Sequence, residues 1–171
     1  MHEANSISEK IVSLNDGAKK VAKWKKEKQK VVFTNGCFDI LHKGHVMYLF
    51  EAASFGNKLV VGINSDKSVK RLNKGSNRPI NDENARAFLI AALSCVDLVL
   101  IFDEDTPNNL IESIIPNHLI KGGDYNENED NPASKRYIVG STFVKKNGGQ
   151  VSTIDFLDGF SSSSIINKMK S

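Results

Sequence analysis

The stretch Val31-Val32-Phe33-Thr34-Asn35-Gly36-Cys37-Phe38-Asp39-Ile40-Leu41-His42-Lys43-Gly44-His45 decides how the rest of the chain is read. Val31 to Thr34 is a β-branched and aromatic run suited to a buried strand, and Asn35-Gly36 breaks it as the chain turns. Val46, Leu49, Phe50 and Ala53 then recur at helical spacing from about His45 to Phe55, and Gly56 is placed to close that helix as a left-handed residue. A strand that turns into a helix presents free N–H groups and the positive end of the helix dipole just beyond the strand, where an anion is favoured. His42 and His45 stand three residues apart at that helix start, on one side of the chain. Imidazoles there can donate to phosphate oxygens, and Gly44 between them carries no side chain to keep a polyphosphate from the backbone.

Outward from this turn, strand and helix signals alternate. Lys58 to Ile63 predicts a second buried strand, and Asn64-Ser65-Asp66 follows it, where Ser65 or Asp66 can cap a short helix. Residues 73 to 82, with Gly75, Pro79 and several Asn, read as a loop before a helix over Glu83 to Leu93. Val96 to Phe102 predicts a third strand, apolar enough to be buried on both faces. Thr106-Pro107 signals a helix start, a capping hydroxyl before a first-turn proline, and that helix runs to about Ile115. His118 to Lys121 gives a fourth strand with Gly122-Gly123-Asp124 as its turn, and the Asn/Glu/Asp-rich stretch 124 to 133 reads as a mobile loop. Ser134 to Lys146 reads as a helix closed by Gly148-Gly149, Val151 to Phe156 as a fifth strand and Ser161 to Met169 as a final helix. This alternation predicts an α/β, Rossmann-like single domain: a five-stranded parallel sheet flanked by helices on both faces.

At 171 residues the chain can bury one sizeable core but not two ordinary domains and a linker. Residues 1–30 are expected to form an N-terminal basic amphipathic helical appendage, with Ile11, Leu14, Ala18, Val21 and Ala22 on its apolar side, and residues 31–171 the main domain. Seven lysines between Lys19 and Lys30 supply most of the net charge of +3, and Trp24 is their only aromatic neighbour. That stretch is therefore read as a solvated helix face, with Trp24 packing, and no nucleic-acid partner is expected. The hydrophobic share of 40% and charged share of 25% exclude a disordered chain. Cys37 and Cys95 form neither a disulfide framework nor a paired metal motif, which fits a reducing compartment. No apolar run approaches a membrane span and no signal-peptide core is visible, so a cytoplasmic location without a membrane partner is expected.

Several site classes lose their support. Neither GxGxxG after a strand nor GxxxxGK[ST] occurs, which removes the key support for dinucleotide oxidoreductases and P-loop enzymes. His42 and His45 have no evident third partner for zinc, so no protein metal ligand is assigned. His2 and His118 read as terminal or structural, and Cys37 as a small packing residue beside the turn.

Phe38-Asp39-Ile40-Leu41-His42-Lys43-Gly44-His45 resembles the FDxxHxGH signature of the cytidylyltransferase-like nucleotidyltransferase superfamily. Thr34 to Asp39, Asn64-Ser65-Asp66, Arg78-Pro79, the Arg86 helix leading to Val96-Asp97, Phe102 to Pro107 and Lys121 to Tyr125 are similar to the heptose 1-phosphate adenylyltransferases that make ADP-heptose. That resemblance covers about residues 10 to 170 and implies the stand-alone domain, without the kinase half found in fused members. It implies that the phosphate oxygen of D-glycero-β-D-manno-heptose 1-phosphate attacks the α-phosphorus of ATP, with Mg2+ accompanying ATP, and that pyrophosphate leaves. The ADP-heptose formed would supply lipopolysaccharide core synthesis. A homodimer or higher homo-oligomer is implied as well.

By the same resemblance His42 and His45 hold the phosphates, Asp39 positions the substrate phosphate or the metal, and Arg86 contacts phosphate. From the residues alone, Arg86 reads equally well as a surface arginine paired with Glu83. Thr34, Asn35, Gly36, Cys37, Phe38 and Gly44 form the nucleotide-binding turn, and Lys121, Gly122, Asp124 and Tyr125 the adenosine wall. Ser161, Ser162 and Ser163, in the turn Gly159 to Ser164, either bind phosphate or simply cap the last helix. Several superfamily members carry an arginine shortly before that turn, where this chain has Phe156, Leu157 and Asp158, so Lys121, Lys70 or Lys74 is expected to supply the charge. Two alternatives remain: a glycerol-phosphate-type cytidylyltransferase on the same fold, and a non-catalytic nucleotide-binding protein.

Overall fold

A six-stranded, all-parallel sheet organises the chain in the computed structural model, which describes residues 4–72, 77–157 and 159–170. In chain order the elements are α1 (Ala4–Ser8), β1 (Ile11–Val12), α2 (Leu14–Lys26), β2 (Val31–Gly36), α3 (Lys43–Ala53), β3 (Lys58–Asn64) and α4 (Asp66–Arg71). There follow α5 (Glu83–Ala91), β4 (Leu98–Phe102), α6 (Asn108–Ile114), β5 (His118–Gly122), α7 (Ser141–Lys146), β6 (Gln150–Ile154) and α8 (Ser162–Lys170). The expectations for His2, for Lys74 and Gly75, and for Asp158 lie outside the described residues.

The strand order is β1-β4-β3-β2-β5-β6. β2 is central because nearly every one of its apolar side chains can be buried on one face or the other. Val32 packs with Tyr48, Leu49 and Ala52 of α3 and with Ile90 and Ala91 of α5. Val31 and Phe33 face the opposite layer, with Val21 of α2, Leu110 and Ile111 of α6 and Val144 of α7. Helices therefore cover both faces, and each fully buried Val, Leu, Ile or Phe contributes about 1.5–3 kcal/mol against leaving it in water.

The sixth strand was not expected. Ile11 and Val12 pair with Val99 and Leu100 at the edge of β4, and a two-residue strand is too short to show any alternation. Ser13 separates it from α2 by accepting the Asp16 N–H at 3.2 Å, so the helix begins at Leu14 instead of about residue 10. Along α2, Gly17 and Val21 are buried while Lys19, Lys20, Lys23 and Lys26 are exposed; Ala22, expected on the apolar side, is exposed as well.

Three local expectations need correction. Gly56 is not left-handed: α3 stops at Ala53, with Ser54 still in the right-handed region. Glycine is required at 56 for space, since a Cβ would lie 2.6 Å from Val32 Cγ2 and 2.7 Å from the Lys30 carbonyl oxygen. Thr106 does not cap α6; Pro107 holds that position without a side-chain bond. Residues 134–140 form turns instead of helix, because Gly140 enters α7 at a φ of 86° and the helix starts only at Ser141. His118 is structural as expected, with Nε2 2.9 Å from the Ser152 hydroxyl and its ring edge-on to Phe55.

This order positions the site. From β2 the chain steps through β3 to β4 on one side, then crosses back to β5 and β6 on the other, so the loops leaving β2 and β5 diverge. A crevice opens between them at the carboxyl edge of the sheet. No helix among the described residues is long and apolar enough to cross a membrane.

Because the Gly56 backbone abuts both Val32 and the Lys30 carbonyl, Gly56→Ala is expected to destabilise the fold by about 1–3 kcal/mol in urea unfolding. An unchanged midpoint would show that the α3–β3 turn yields freely.

Candidate active site

The crevice holds a cleft of about 750 Å³. Asn35, Gly36, Cys37, Phe38 and Asp39 line it from the β2 turn, and Lys121, Gly122, Asp124 and Tyr125 from the end of β5. His45, Ser162 and Ser163 reach it from two helix starts. The structure thus brings together most of the residues singled out from the sequence; His42, Thr34, Gly44, Ser161 and Arg86 do not line the cleft.

His42 is the N-cap of α3, with φ −141° and ψ 169°. Its Nδ1 accepts the His45 N–H at 3.3 Å, the task usually given to a Ser, Asp or Asn oxygen. An imidazole accepting at Nδ1 carries its proton on Nε2 when neutral, so the cap fixes the tautomer. The His45 ring stacks on His42 at 3.7 Å between centroids and 18° between planes, and Phe38 meets His45 edge-on at 5.1 Å. Gly44 is needed here: a Cβ would sit 3.1 Å from the His42 ring and from Phe160 Cβ, where the approach to α8 closes over the α3 terminus. Burial holds the His42 pKa below the ordinary 6.5.

Asp39 is buried, and its carboxylate is fully occupied by protein. Oδ1 accepts the Ile80 N–H at 2.7 Å and the Asn81 N–H at 3.1 Å, while Oδ2 receives Arg78 Nε. Asp39 therefore fastens the 78–81 loop and its arginine to the cleft wall. Among the described residues no group of three His, Cys, Asp or Glu could hold a metal ion. With Asp39 engaged, these residues do not fit a protein-held Mg2+; a divalent ion arriving on a triphosphate would keep water and phosphate oxygens as ligands.

Arg86 departs from the surface reading made from the residues alone. It is fully buried, not a surface residue, and it does not pair with Glu83, whose carboxylate accepts the Asp66 N–H at 2.7 Å. Its guanidinium donates to Asp66 Oδ1 at 2.7 Å, to the Cys37 carbonyl at 2.6 Å and to the Asn81 carbonyl at 3.0 Å. A buried charge persists only when paired and hydrogen-bonded in this way.

Thr34 is buried, with its hydroxyl 2.7 Å from that of Tyr48; burial pushes the Tyr48 phenol well above its usual range, against the opposing effect of that bond. Asn35 keeps a buried Oδ1 without a hydrogen-bond partner, an acceptor in the cleft wall that a ligand donor would satisfy. Ser161 caps α8 by accepting the Ser164 N–H at 3.0 Å, and Ser162 donates to the Ile40 carbonyl at 3.3 Å. The serine turn thus supplies both a helix cap and cleft wall.

Sequence reasoning assigned no site role to Arg78, Tyr48, Lys135, Tyr137 or Phe156, which also line the cleft. Tyr48 was detectable one helical turn after His45. Phe156 was not: its ring lies on Gly122, where any Cβ would collide with it. The cleft's cations are Arg78, Lys121 and Lys135; Lys121 Nζ lies 5.0 Å over the Tyr125 ring, whereas Lys70 is exposed on α4 outside the cleft.

Residues 33–168 match the family model described as cytidylyltransferase-like. The chain is 51% identical over 164 residues to the bifunctional protein HldE of Nitrobacter hamburgensis, covering 95% of this chain and 32% of that protein. The corresponding protein of Citrifermentans bemidjiense is 48% identical over 170 residues, covering 99% and 33%. The chain spans about a third of the length of these curated relatives. Among solved structures, the lipopolysaccharide core biosynthesis protein from Thermoplasma volcanium superposes with a TM-score of 0.56 at 29% identity, over 75% of this chain and 97% of that one.

The half-buried cap has a pH consequence. With the folded pKa of His42 below 6.5, the unfolded chain takes up the proton first, so this ring's contribution to stability is whole above 6.5 and is lost as pH falls below it. Histidine NMR of the free protein is expected to give a His42 midpoint below 6.5; one at or above that value would contradict the cap.

Proposed function

Because the chain belongs to the cytidylyltransferase-like family, we propose that it transfers AMP from ATP to D-glycero-β-D-manno-heptose 1-phosphate, giving ADP-heptose and pyrophosphate for lipopolysaccharide core synthesis. The observation that carries this function is the stacked His42–His45 pair at the start of α3, beside a cleft at the point where strand order reverses. The choice of acceptor is supported by the motif resemblance, by identities of about one half to HldE proteins, and by the likeness to a protein of lipopolysaccharide core biosynthesis.

An oxygen of the sugar phosphate forms the new bond to the α-phosphorus of ATP, and the bond from that phosphorus to the bridging oxygen breaks, the electron pair leaving with pyrophosphate. A phosphate dianion needs no base to activate it, and no covalent enzyme intermediate is required. Negative charge accumulates on the oxygens around the α-phosphorus and on the leaving group. The Nε2–H of His42, the His45 ring and the first-turn N–H groups of α3 are fixed before substrate arrives, which is the condition for stabilising that charge without reorganisation. Lys121 and Arg78 add positive charge to the wall. Mg2+ enters as part of the nucleotide substrate and neutralises phosphate charge.

We also assign a cytoplasmic location, where ATP is available and thiols outside disulfides, such as those of Cys37 and Cys95, persist, and a homodimer or higher assembly, supported by Met47 and Phe50 exposed together on α3. Sedimentation equilibrium is expected to give at least twice the chain mass of 18.9 kDa; a monomer at micromolar concentration would remove that part.

A pyrophosphate-release assay crossing ATP, CTP and GTP with the α and β heptose 1-phosphates and glycerol 3-phosphate is expected to show turnover for ATP with the β anomer. Preference for CTP with glycerol 3-phosphate would overturn the assignment in favour of a cytidylyltransferase, and absence of turnover with every pair would favour a binding protein. His42→Ala and His45→Ala are each expected to lower kcat by about 10²–10³-fold, with circular dichroism unchanged.

A further inference from the structure

Arg86 is the largest fully buried side chain among the described residues, yet it stands outside the cleft whose walls it joins. Its three hydrogen bonds reach three separate segments: the turn after β2, the loop before α5 and the first residue of α4. The shortest of them, from Nη1 to the Cys37 carbonyl at 2.6 Å, falls on the peptide group that precedes Phe38. Phe38 has a φ of 48°, in the left-handed region that an L side chain occupies only when its surroundings hold it there.

The consequences run directly to the imidazoles. In that conformation the Phe38 ring lies over Gly36, where a Cβ would be 3.0 Å from Phe38 Cε2, and turns its edge to His45. His45 in turn stacks on His42. We propose that Arg86 is a positioning residue: by gripping the Cys37 carbonyl it keeps Phe38 left-handed, and the Phe38 ring then sets the His45–His42 stack. This inference rests on the reading that the stack receives a triphosphate, but the geometry it describes exists without substrate. It also replaces the direct phosphate contact that family resemblance implies for Arg86.

The test uses the full chain with isotope-labelled histidine, in the native sequence and as Arg86→Met, Arg86→Lys, Phe38→Leu and Asp66→Asn. Without substrate, Arg86→Met, Arg86→Lys and Phe38→Leu are expected to displace the His42 and His45 ring resonances and to bring the His42 midpoint closer to 6.5. In turnover, kcat is expected to fall by about ten- to a hundredfold, as displacement of a positioned group does, while the KM for ATP changes by less than about threefold. Asp66→Asn removes the ion pair but keeps the Cys37 contact, and is expected to lower the Tm while leaving both imidazole signals in place.

Arginine variants that keep native histidine signals would overturn the proposal: with a raised KM for ATP they would show a direct phosphate contact, and with only a lowered Tm a purely structural role. Equal displacement by Asp66→Asn would overturn it too. If Arg86→Met does not fold, Arg86→Lys and Phe38→Leu decide between the same outcomes. Absence of turnover in the native protein would count against the proposed reaction and leave the substrate-free NMR result standing.

Discussion

The hydrogen bond from the His45 N–H to His42 Nδ1 is the contact on which the rest of the site depends. It ends the turn after β2, starts α3, and commits the neutral His42 ring to carrying its proton on Nε2. A serine or aspartate cap would start the helix equally well but leave no ring N–H for a ligand. On the proposed reading, a histidine here joins helix initiation and anion recognition in one side chain, and the three-residue spacing places the donating N–H and the second ring on the same residue.

Around this bond the protein has built paired supports, of which Asp39 and Arg86 are buried. Asp39 ties the 78–81 loop to the turn, Arg86 ties the turn to α4 and to the start of α5, and Ser162 brings the start of α8 onto the Ile40 carbonyl. Two helix N-termini and a set of cations thereby converge on one crevice, and among the described residues no group of three His, Cys, Asp or Glu there could hold a metal ion. Such a surface suits a substrate rich in phosphate, with any divalent ion belonging to that substrate.

What could be read from the sequence was local in the chain. The strand at Val31 to Thr34, the helix after it and the paired histidines depend on residues within a few positions of one another, and so do the Ser65 and Ser161 caps. The strand at Ile11–Val12 was missed because two residues cannot display a period, and its pairing partner lies far along the chain in β4. The protein contacts of Asp39 and Arg86 escaped for a related reason: their partners are 39 and 20 residues away, at Arg78 and Asp66, and no spacing rule links such pairs. Gly56 and Gly122 were recognisable as special, but only packing against Val32 and Phe156 says why. The general fold and the placement of the paired histidines at the start of α3 were therefore legible, while the contacts that hold that turn in place required three dimensions.

The central claim is that the stacked imidazoles at the tip of β2 grip the triphosphate. A crystal structure with a non-hydrolysable ATP analogue tests it most directly. The expected result places phosphate oxygens within hydrogen-bonding distance of His42 Nε2 and the His45 ring, over the first turn of α3. Phosphates lodged elsewhere in the cleft, or imidazoles turned away from them into the apolar layer, would contradict it.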